Sequence, residues 1–462
     1  MLGSTRRAHL IGVGGSGMSP LAEILLRGGI HVSGTDVNAS AVTAHLQSLG
    51  LDFHQGHDAA HLGEADVVVR SSAVDPANPE VSEAVRRRIP VILRGELLAE
   101  LMRGTRGVAV AGAHGKTTTT AMIGLILDRA GLDPTVVIGA RLPQFGSSAR
   151  VGAGDLLVAE ADESDRSFLL LAPVIAVVTN IDREHMDSYG GFDDLVAAFG
   201  AFASRVPFYG ASVLCTDDPV LRDLAARATR RVVRYGLDDP AAHLTADDVR
   251  FEDFGSRATV VRRSGHDREV LGELTLQVPG RHNVRNALAA AAVGAELGVR
   301  FADTARALAE FRGAQRRFER VGQARGVTVV DDYGHHPTEI AAVIEAARAA
   351  GARRIVCVFQ PHRYTRTALL LREFGPALAA ADEVVLADIY PAGEAPMAGV
   401  TVEALAGQVR AAGGLVHVVA DLADLPAAVA RRARPGDLVL TMGAGSIGAA
   451  GPKIVEAIAA CE

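Results

Sequence analysis

Short apolar blocks recur along this chain, each closed by glycine or polar residues and most followed by helical spacing. That is the pattern of strands alternating with helices around a parallel sheet. The first block, Ala8 to Val13, passes through Gly12-x-Gly14-x-x-Gly17 into a predicted helix from Pro20 to Arg27. A second, Ile30 to Ser33, closes at Asp36, and Val67 to Val69 and Val91 to Leu93 continue the series. An open parallel sheet is predicted over residues 1–104. Its glycine turn and following acid have the layout of a dinucleotide-binding loop, although G-x-G-x-x-G alone is weak evidence.

Residues 105–312 start a second series: a strand at Val108 to Ala111, a helix from Thr118 to Asp128, apolar runs at Asp155 to Ala159 and Val174 to Val178, and a helix from Phe192 to Ala203. Between about Leu237 and Pro279 the chain becomes polar, with alternating stretches such as Ala258 to Val261 and Leu274 to Val278 that read as antiparallel hairpins. Residues 313–462 alternate regularly, with strands predicted at Val327 to Val330, Arg354 to Phe359, Glu383 to Ala387, Leu415 to Val419 and Leu438 to Met442. The economical fold is α/β: a Rossmann-like sheet at each end and, between them, a nucleotide-binding parallel sheet with small antiparallel strands. The last strand runs into Gly443-x-Gly445-x-x-Gly448, where tight packing is preferred over a second nucleotide.

Composition adds bounds to this picture. At 462 residues the chain exceeds one ordinary core, in keeping with about three domains. A net charge of -7 with dispersed arginines speaks against a nucleic-acid partner. No apolar run approaches the roughly 18 residues of a membrane span, so a cytoplasmic protein without a membrane partner is expected. Cys215, Cys357 and Cys461 suggest neither a disulfide frame nor a zinc site. Only two of the 47 basic residues are lysines, Lys116 and Lys453.

Lys116 lies in Gly112-Ala-His-Gly-Lys-Thr-Thr118, between a strand and a helix as a phosphate-binding loop requires. The general pattern would place glycine at Val110, so this is a shortened variant. A compact ammonium reaches between nucleotide phosphates where a planar guanidinium is too bulky. The alternative is an incidental surface turn. Two acidic clusters, Glu160-Ala-Asp-Glu-Ser-Asp165 and Thr179-Asn-Ile-Asp-Arg-Glu-His-Met-Asp187, follow strands that should end beside this loop. Magnesium prefers oxygen ligands, which suits Thr117 and Glu160 better than the His185 imidazole. Solvated turns are the competing explanation. Asn283 and Asn286 sit three apart at a helix start, placed either to meet an adenine edge or to cap the helix. In the third segment, Asp331-Asp-Tyr333-Gly-His335-His336-Pro and Gln360-Pro-His362-Arg363-Tyr364-Thr-Arg366 both follow strands. Arg363 and Arg366 have the spacing to grip one carboxylate, unless they are simply solvated.

Together with Gly12-Val-Gly-Gly-Ser-Gly-Met-Ser19, Ser71-Ser-Ala73, His282-Asn283 and Arg316-Arg-Phe318, these motifs resemble those of the Mur ligases over essentially the whole chain. The resemblance implies an ATP-dependent amide-forming ligase of peptidoglycan precursor synthesis. The Gly14-Gly-Ser-Gly-Met-Ser19 loop favours the type that joins L-alanine to the lactyl carboxylate of UDP-N-acetylmuramate through an acyl phosphate. It implies that Gly14, Gly15 and Ser16 face the diphosphate of that substrate, with Asp36, His57, Ser71 and Ser72 around the uridine. Gly112, Ala113, His114, Gly115, Lys116, Thr117 and Thr118 would bind ATP phosphates, and Asn283 and Arg317 would help place the nucleotide. Thr117, Glu160 and His185 would hold Mg²⁺, with Lys116 and His185 nearest the chemistry. Tyr333, His335, His362, Arg363 and Arg366 would meet the sugar acid and the amino acid. Two departures stand out: Ala113 replaces the usual threonine, and Glu184 replaces the commoner aspartate before His185. Some relatives bridge two metals with a carbamylated lysine; here the only other lysine is in the final helix, so any second metal is expected to be held by substrate oxygens, water and existing carboxylates. A nicotinamide-dependent oxidoreductase would leave the phosphate loop unexplained, and a non-catalytic nucleotide sensor would leave the dense polar strand ends unexplained.

Overall fold

The computed structural model describes residues 3–71, 73–142, 144–252, 254–265 and 267–461, so Ser72 lies outside the described residues. Three sheets form. In the first, β1 (Arg7–Ile11), β2 (His31–Asp36), β3 (Asp52–Gln55), β4 (Val67–Arg70) and β5 (Val91–Leu93) are all parallel, in the order β3-β2-β1-β4-β5. This is the strand order of a nucleotide-binding half-fold, which reverses direction at β1. The predicted first strand is shortened, because Gly12 adopts φ +79 and turns the chain out of the sheet at Ile11.

The second sheet contains β6 (Arg106–Ala111), β7 (Thr135–Leu142), β8 (Ser147–Arg150), β9 (Leu156–Glu160), β10 (Ile175–Val178), β11 (Ala211–Cys215), β12 (Val232–Tyr235), β13 (Leu244–Glu252), β14 (Gly255–Ser264) and β15 (Asp267–Leu276). Their order is β15-β14-β13-β12-β11-β10-β6-β9-β7-β8. Strands β12 to β7 in that order are parallel, β8 is antiparallel, and β13 to β15 are neighbours too close in sequence for parallel crossovers. The expected hairpins are present, but as longer strands than their short alternating stretches indicated.

The third sheet contains β16 (Glu319–Ala324), β17 (Val327–Asp332), β18 (Arg354–Phe359), β19 (Glu383–Leu386), β20 (Val416–Val418) and β21 (Asp437–Met442), in the order β16-β17-β21-β18-β19-β20. Only β16 is antiparallel. Val330, Cys357, Phe359, Val384, Leu386 and Leu440 pack into one core with helices Pro337–Ala349, Leu371–Ala379 and Val402–Ala411. Val329, Val356, Val358, Val385 and Val439 pack into another with helix Ala450–Ala460. Both faces are thus covered, which explains why these strands are apolar throughout and do not alternate with polar residues.

Two compact units result: Met1–Asp247 with Thr259–Leu274 and Arg285–Phe311, and Asp248–Ala258 with Thr275–Val284 and Arg312–Glu462. Among the described residues no helix is long and apolar enough to cross a membrane.

Candidate active site

In the first unit, the neighbours β10, β6 and β9 bring three loops to one carboxyl edge. Strand β6 ends in the phosphate loop, where Gly112 takes φ +136 and Gly115 φ +84. A Cβ on Gly112 would lie 2.1 Å from Thr179 Oγ1, and one on Gly115 would lie 2.7 Å from Asn286 Oδ1. Only glycine fits either place. The loop is braced by the segment after β10: Asn180 accepts the amides of Ala113 (carbonyl, 3.2 Å) and His114 (side chain, 2.8 Å), while Thr179 Oγ1 donates to the His114 carbonyl at 2.6 Å. Helix Lys116–Arg129 then begins, and the amides of its first turn, unpaired within any helix, are those directed at an anion. The buried Thr117 and Thr118 open this helix.

Lys116 is folded onto its own loop. Its ammonium donates to the Gly112 carbonyl at 2.5 Å, the Ala113 carbonyl at 3.2 Å and Glu163 Oε1 at 2.7 Å. Burial acts to lower its pKa, but the charges of Glu163, Glu184 and Asp162 outweigh that and raise it, so the ammonium stays charged. Glu163 is buried, and desolvation pushes its pKa up to about 7 against the pull of Lys116.

Ligand-type atoms of Glu163, Glu184 and His185 lie within 4.8 Å of one another. Glu163 Oε2 is buried with no hydrogen-bond partner among the described residues, an arrangement that suits a divalent cation. Of the ligands expected from sequence, His185 belongs to this trio, whereas Glu160 closes β9 and accepts the Gly139 amide at 2.8 Å. Glu163 was the residue missed. It stands in the acidic motif after β9, and the tight turn that swings it toward Lys116 has no sequence signal of its own. His185 holds φ +54, a conformation costly for a non-glycine residue and typical of constrained functional sites.

At the edge of the first sheet the glycine loop differs from expectation. The Gly14 amide, read as facing an anion, donates to Asp36 Oδ2 at 2.9 Å, and the Gly15 amide donates to the Gly12 carbonyl at 3.1 Å. The short acidic side chain that ends the adjacent strand β2 thus closes the turn internally. Ser71 lies beside this loop, its Oγ 4.0 Å from where a Gly12 Cβ would stand. His57 Nδ1 is 3.3 Å from the fully buried Glu80, which also accepts from Thr35 Oγ1 at 2.8 Å.

In the second unit, Arg316 and Arg317 both place their guanidinium over the Tyr333 ring, at 5.2 Å. His335 meets Tyr333 and His362 edge-on, with ring centroids at 5.5 and 6.0 Å. Arg366 Nη1 donates to His362 Nδ1 at 3.4 Å. Arg363 at φ +71 sits in strained backbone at the start of its helix. Asn283 donates to the Pro279 carbonyl at 2.7 Å, within the same unit. Gly443, Gly445 and Gly448 closely face Gln360, Tyr390 and Arg316, so packing accounts for the third glycine motif.

His362 supplies a pH prediction. Burial, with His335, Arg366 and Arg363 nearby, lowers its pKa to about 4 from the ordinary 6.5. The folded state therefore holds it neutral, and between pH 6.5 and 4 only the unfolded chain takes up the proton, so stability is lost as pH falls through that window. His362→Gln is expected to move the acid-unfolding midpoint to lower pH, measured by circular dichroism; an unchanged or higher midpoint would contradict this.

Family models match nearly the full length: Mur ligase family, catalytic domain, over residues 7–106; Mur ligase middle domain over 110–294; and Mur ligase, glutamate ligase domain, over 316–445. The UDP-N-acetylmuramate--L-alanine ligase of Geobacter sp. (strain M21) is 51% identical over 449 residues, covering 97% of this chain and 96% of that protein. The chain belongs to the Mur ligase family. Its counterpart in Anaeromyxobacter sp. (strain Fw109-5), with the same printed name, is 50% identical over 97% of both chains. Among solved structures, the UDP-N-acetylmuramate-alanine ligase of Thermotoga maritima superposes with a TM-score of 0.82 at 29% identity, covering 97% of this chain and 98% of that one. The murein peptide ligase of Psychrobacter arcticus 273-4, at TM-score 0.72 and 22% identity over 99% of both chains, shares the Mur ligase fold.

Proposed function

We propose that this Mur ligase joins L-alanine to UDP-N-acetylmuramate with cleavage of ATP to ADP and phosphate. The observation that carries the reading is Lys116, held between a phosphate loop and a buried carboxylate where three strand ends converge; identity near one half to alanine-adding relatives supports the substrate assignment. A carboxylate does not acylate an amine at neutral pH, so it must first gain a leaving group. Attack of the lactyl carboxylate on the γ-phosphorus forms an acyl phosphate and releases ADP. The alanine amine then attacks the acyl carbon, phosphate leaves, and the amine proton passes to solvent or a nearby base.

Catalysis here is positioning and charge neutralisation. Helix Lys116–Arg129 directs its first-turn amides at the phosphates, and Lys116 exchanges a loop carbonyl for a phosphoryl oxygen. Glu163, Glu184 and His185, whose ligand atoms converge, would hold Mg²⁺, with Thr117 and Glu160 the further ligands expected from the sequence motifs; the ion when bound supplies further neutralisation of phosphate charge. The sugar nucleotide is assigned to residues 1–104, with Gly15, Ser16, Asp36, His57 and Ser71 around it. ATP is assigned to 105–312 with help from Asn283 and Arg317, and L-alanine to 313–462, at Tyr333, His335, His362, Arg363 and Arg366.

The test is phosphate release from ATP in the presence of UDP-N-acetylmuramate and single amino acids. L-Alanine should stimulate it most strongly. Stimulation by glutamate, with none by alanine, serine or glycine, would overturn the assignment.

A further inference from the structure

Helix Arg94–Arg103 begins with a cation, although the positive end of a helix dipole favours acids there. Asp162 offsets that cost. Arg94 Nη2 donates to Asp162 Oδ2 at 2.6 Å, with the arginine side chain 20% exposed. Asp162 is itself fixed, since its other oxygen accepts from the Ser164 amide at 3.0 Å and the Ser164 hydroxyl at 2.6 Å. The next residue, Gly95, is pressed against the same turn, where a Cβ would lie 2.4 Å from Ser167 Cβ. The start of this helix is therefore seated on the acidic loop that follows β9.

The other side of the guanidinium faces the glycine loop of the first sheet. A Cβ on Gly17 would stand 2.9 Å from Arg94 Nη1 and 3.1 Å from its Cζ, so the arginine lies flat against the third glycine of the motif. Beyond the bond to Asp162, the guanidinium has no hydrogen-bond partner among the described residues. The loop needs such a cation. Two of its amides are already used, Gly14 by Asp36 and Gly15 by Gly12, and the Asp36 carboxylate adds negative charge where a diphosphate would bind. Backbone donors alone cannot neutralise a dianion beside a carboxylate, whereas a forked guanidinium matches phosphate and carboxylate oxygens.

We propose that Arg94 is a substrate-binding residue of this enzyme, gripping the anionic part of the sugar nucleotide at the glycine loop while Asp162 holds it in position. The inference rests on the reading that the first sheet binds a UDP-sugar. Asp162 is also close enough to Lys116 for each to stabilise the other's charge, so one carboxylate stands between the cation for the sugar nucleotide and the cation for ATP. The anion is the diphosphate or the lactyl carboxylate; both are oxyanions that a guanidinium binds in the same way.

Calorimetric binding of UDP, UDP-N-acetylglucosamine and UDP-N-acetylmuramate, without ATP, tests this on the wild type and on R94Q, R94K, D162N and G17A. R94Q should weaken UDP-N-acetylmuramate binding by about thirtyfold, within the range for a charged hydrogen bond. R94K should recover part of that loss. G17A keeps every charge yet displaces the guanidinium, and should weaken binding in the same direction. D162N, which removes the anchor and leaves the cation, should cost less than R94Q. ATP binding to R94Q in the absence of sugar should stay within about twofold of wild type, which a general packing defect would not permit. Equal losses for all three nucleotides place the diphosphate on Arg94; a loss confined to UDP-N-acetylmuramate places the lactyl carboxylate there, and either supports the proposal. R94Q binding UDP-N-acetylmuramate as the wild type does, or R94Q and D162N losing equally, would overturn it. A wild type that binds none of the three nucleotides overturns the UDP-sugar reading and this inference together.

Discussion

Lys116→Arg is expected to slow ATP-dependent phosphate release by roughly 10³-fold, the order of effect seen when one preorganised electrostatic donor is removed from a transition state. The charge is kept, so the argument is one of shape. The three ammonium protons of Lys116 already reach three acceptors, at 2.5, 3.2 and 2.7 Å, two of them carbonyls of the loop it must serve. A tetrahedral ammonium can turn from one of these to a phosphoryl oxygen with small rotations of its stem. A planar guanidinium in the same space would push apart the Gly112–Ala113 turn or the Glu163 carboxylate, both tied to neighbouring strand ends. UDP-N-acetylmuramate binding, at a different sheet, should change little. Steady-state phosphate release and calorimetric sugar-nucleotide binding check both halves; activity within tenfold of wild type would show that shape at Lys116 matters far less than charge.

Gly112→Ala is expected to abolish ATP binding and to destabilise the fold by about 2–4 kcal/mol, as backbone strain and a steric clash combine. The position has φ +136, and its Cβ would meet Thr179 Oγ1 at 2.1 Å and the Asn180 carbonyl at 3.1 Å. Those two residues hold Ala113 and His114 in place, so relief of the clash must dismantle the loop. Gly131→Ala provides the comparison, since it shares a positive φ of +76 but has nothing within 4 Å. It should lose only the left-handed backbone preference, about 1 kcal/mol, with nucleotide binding intact. Thermal unfolding of both variants, with ATP titrations, separates strain from collision; equal behaviour would remove the steric argument.

The parts of this molecule that were legible in sequence are those in which one physical demand dominates. Strands buried on both faces must be apolar and amphipathic helices must repeat their apolar residues every three to four positions, so strand Arg354–Phe359 and helix Phe192–Ala203 were bounded correctly by pattern alone. Edge strands carry no such demand: Glu319–Ala324 is largely exposed and polar, and it gave no signal. The phosphate loop was readable because its glycines are forced by geometry that any chain must satisfy. Glu163, Asn180 and Glu80 were not, because a carboxylate or amide becomes informative only once the turn that aims it is known. Arg94 was hidden for another reason, as one arginine among many whose significance lies in what it touches on two strand ends far apart in sequence. The amides of Gly14 and Gly15 show the opposite error, a motif read correctly as a turn whose donors the turn itself consumes.

The stowed posture of Lys116 also sets how the chain meets amine-directed reagents. Acylating and aldehyde reagents attack the neutral amine, and Lys116 is held as a cation by surrounding carboxylates, its protons engaged by two loop carbonyls and Glu163. Lys453, the other lysine, is exposed on helix Ala450–Ala460. In this fold, a dye or solid support coupled through a lysine therefore attaches on the outer face of the third sheet's last helix, leaving the phosphate loop chemically untouched.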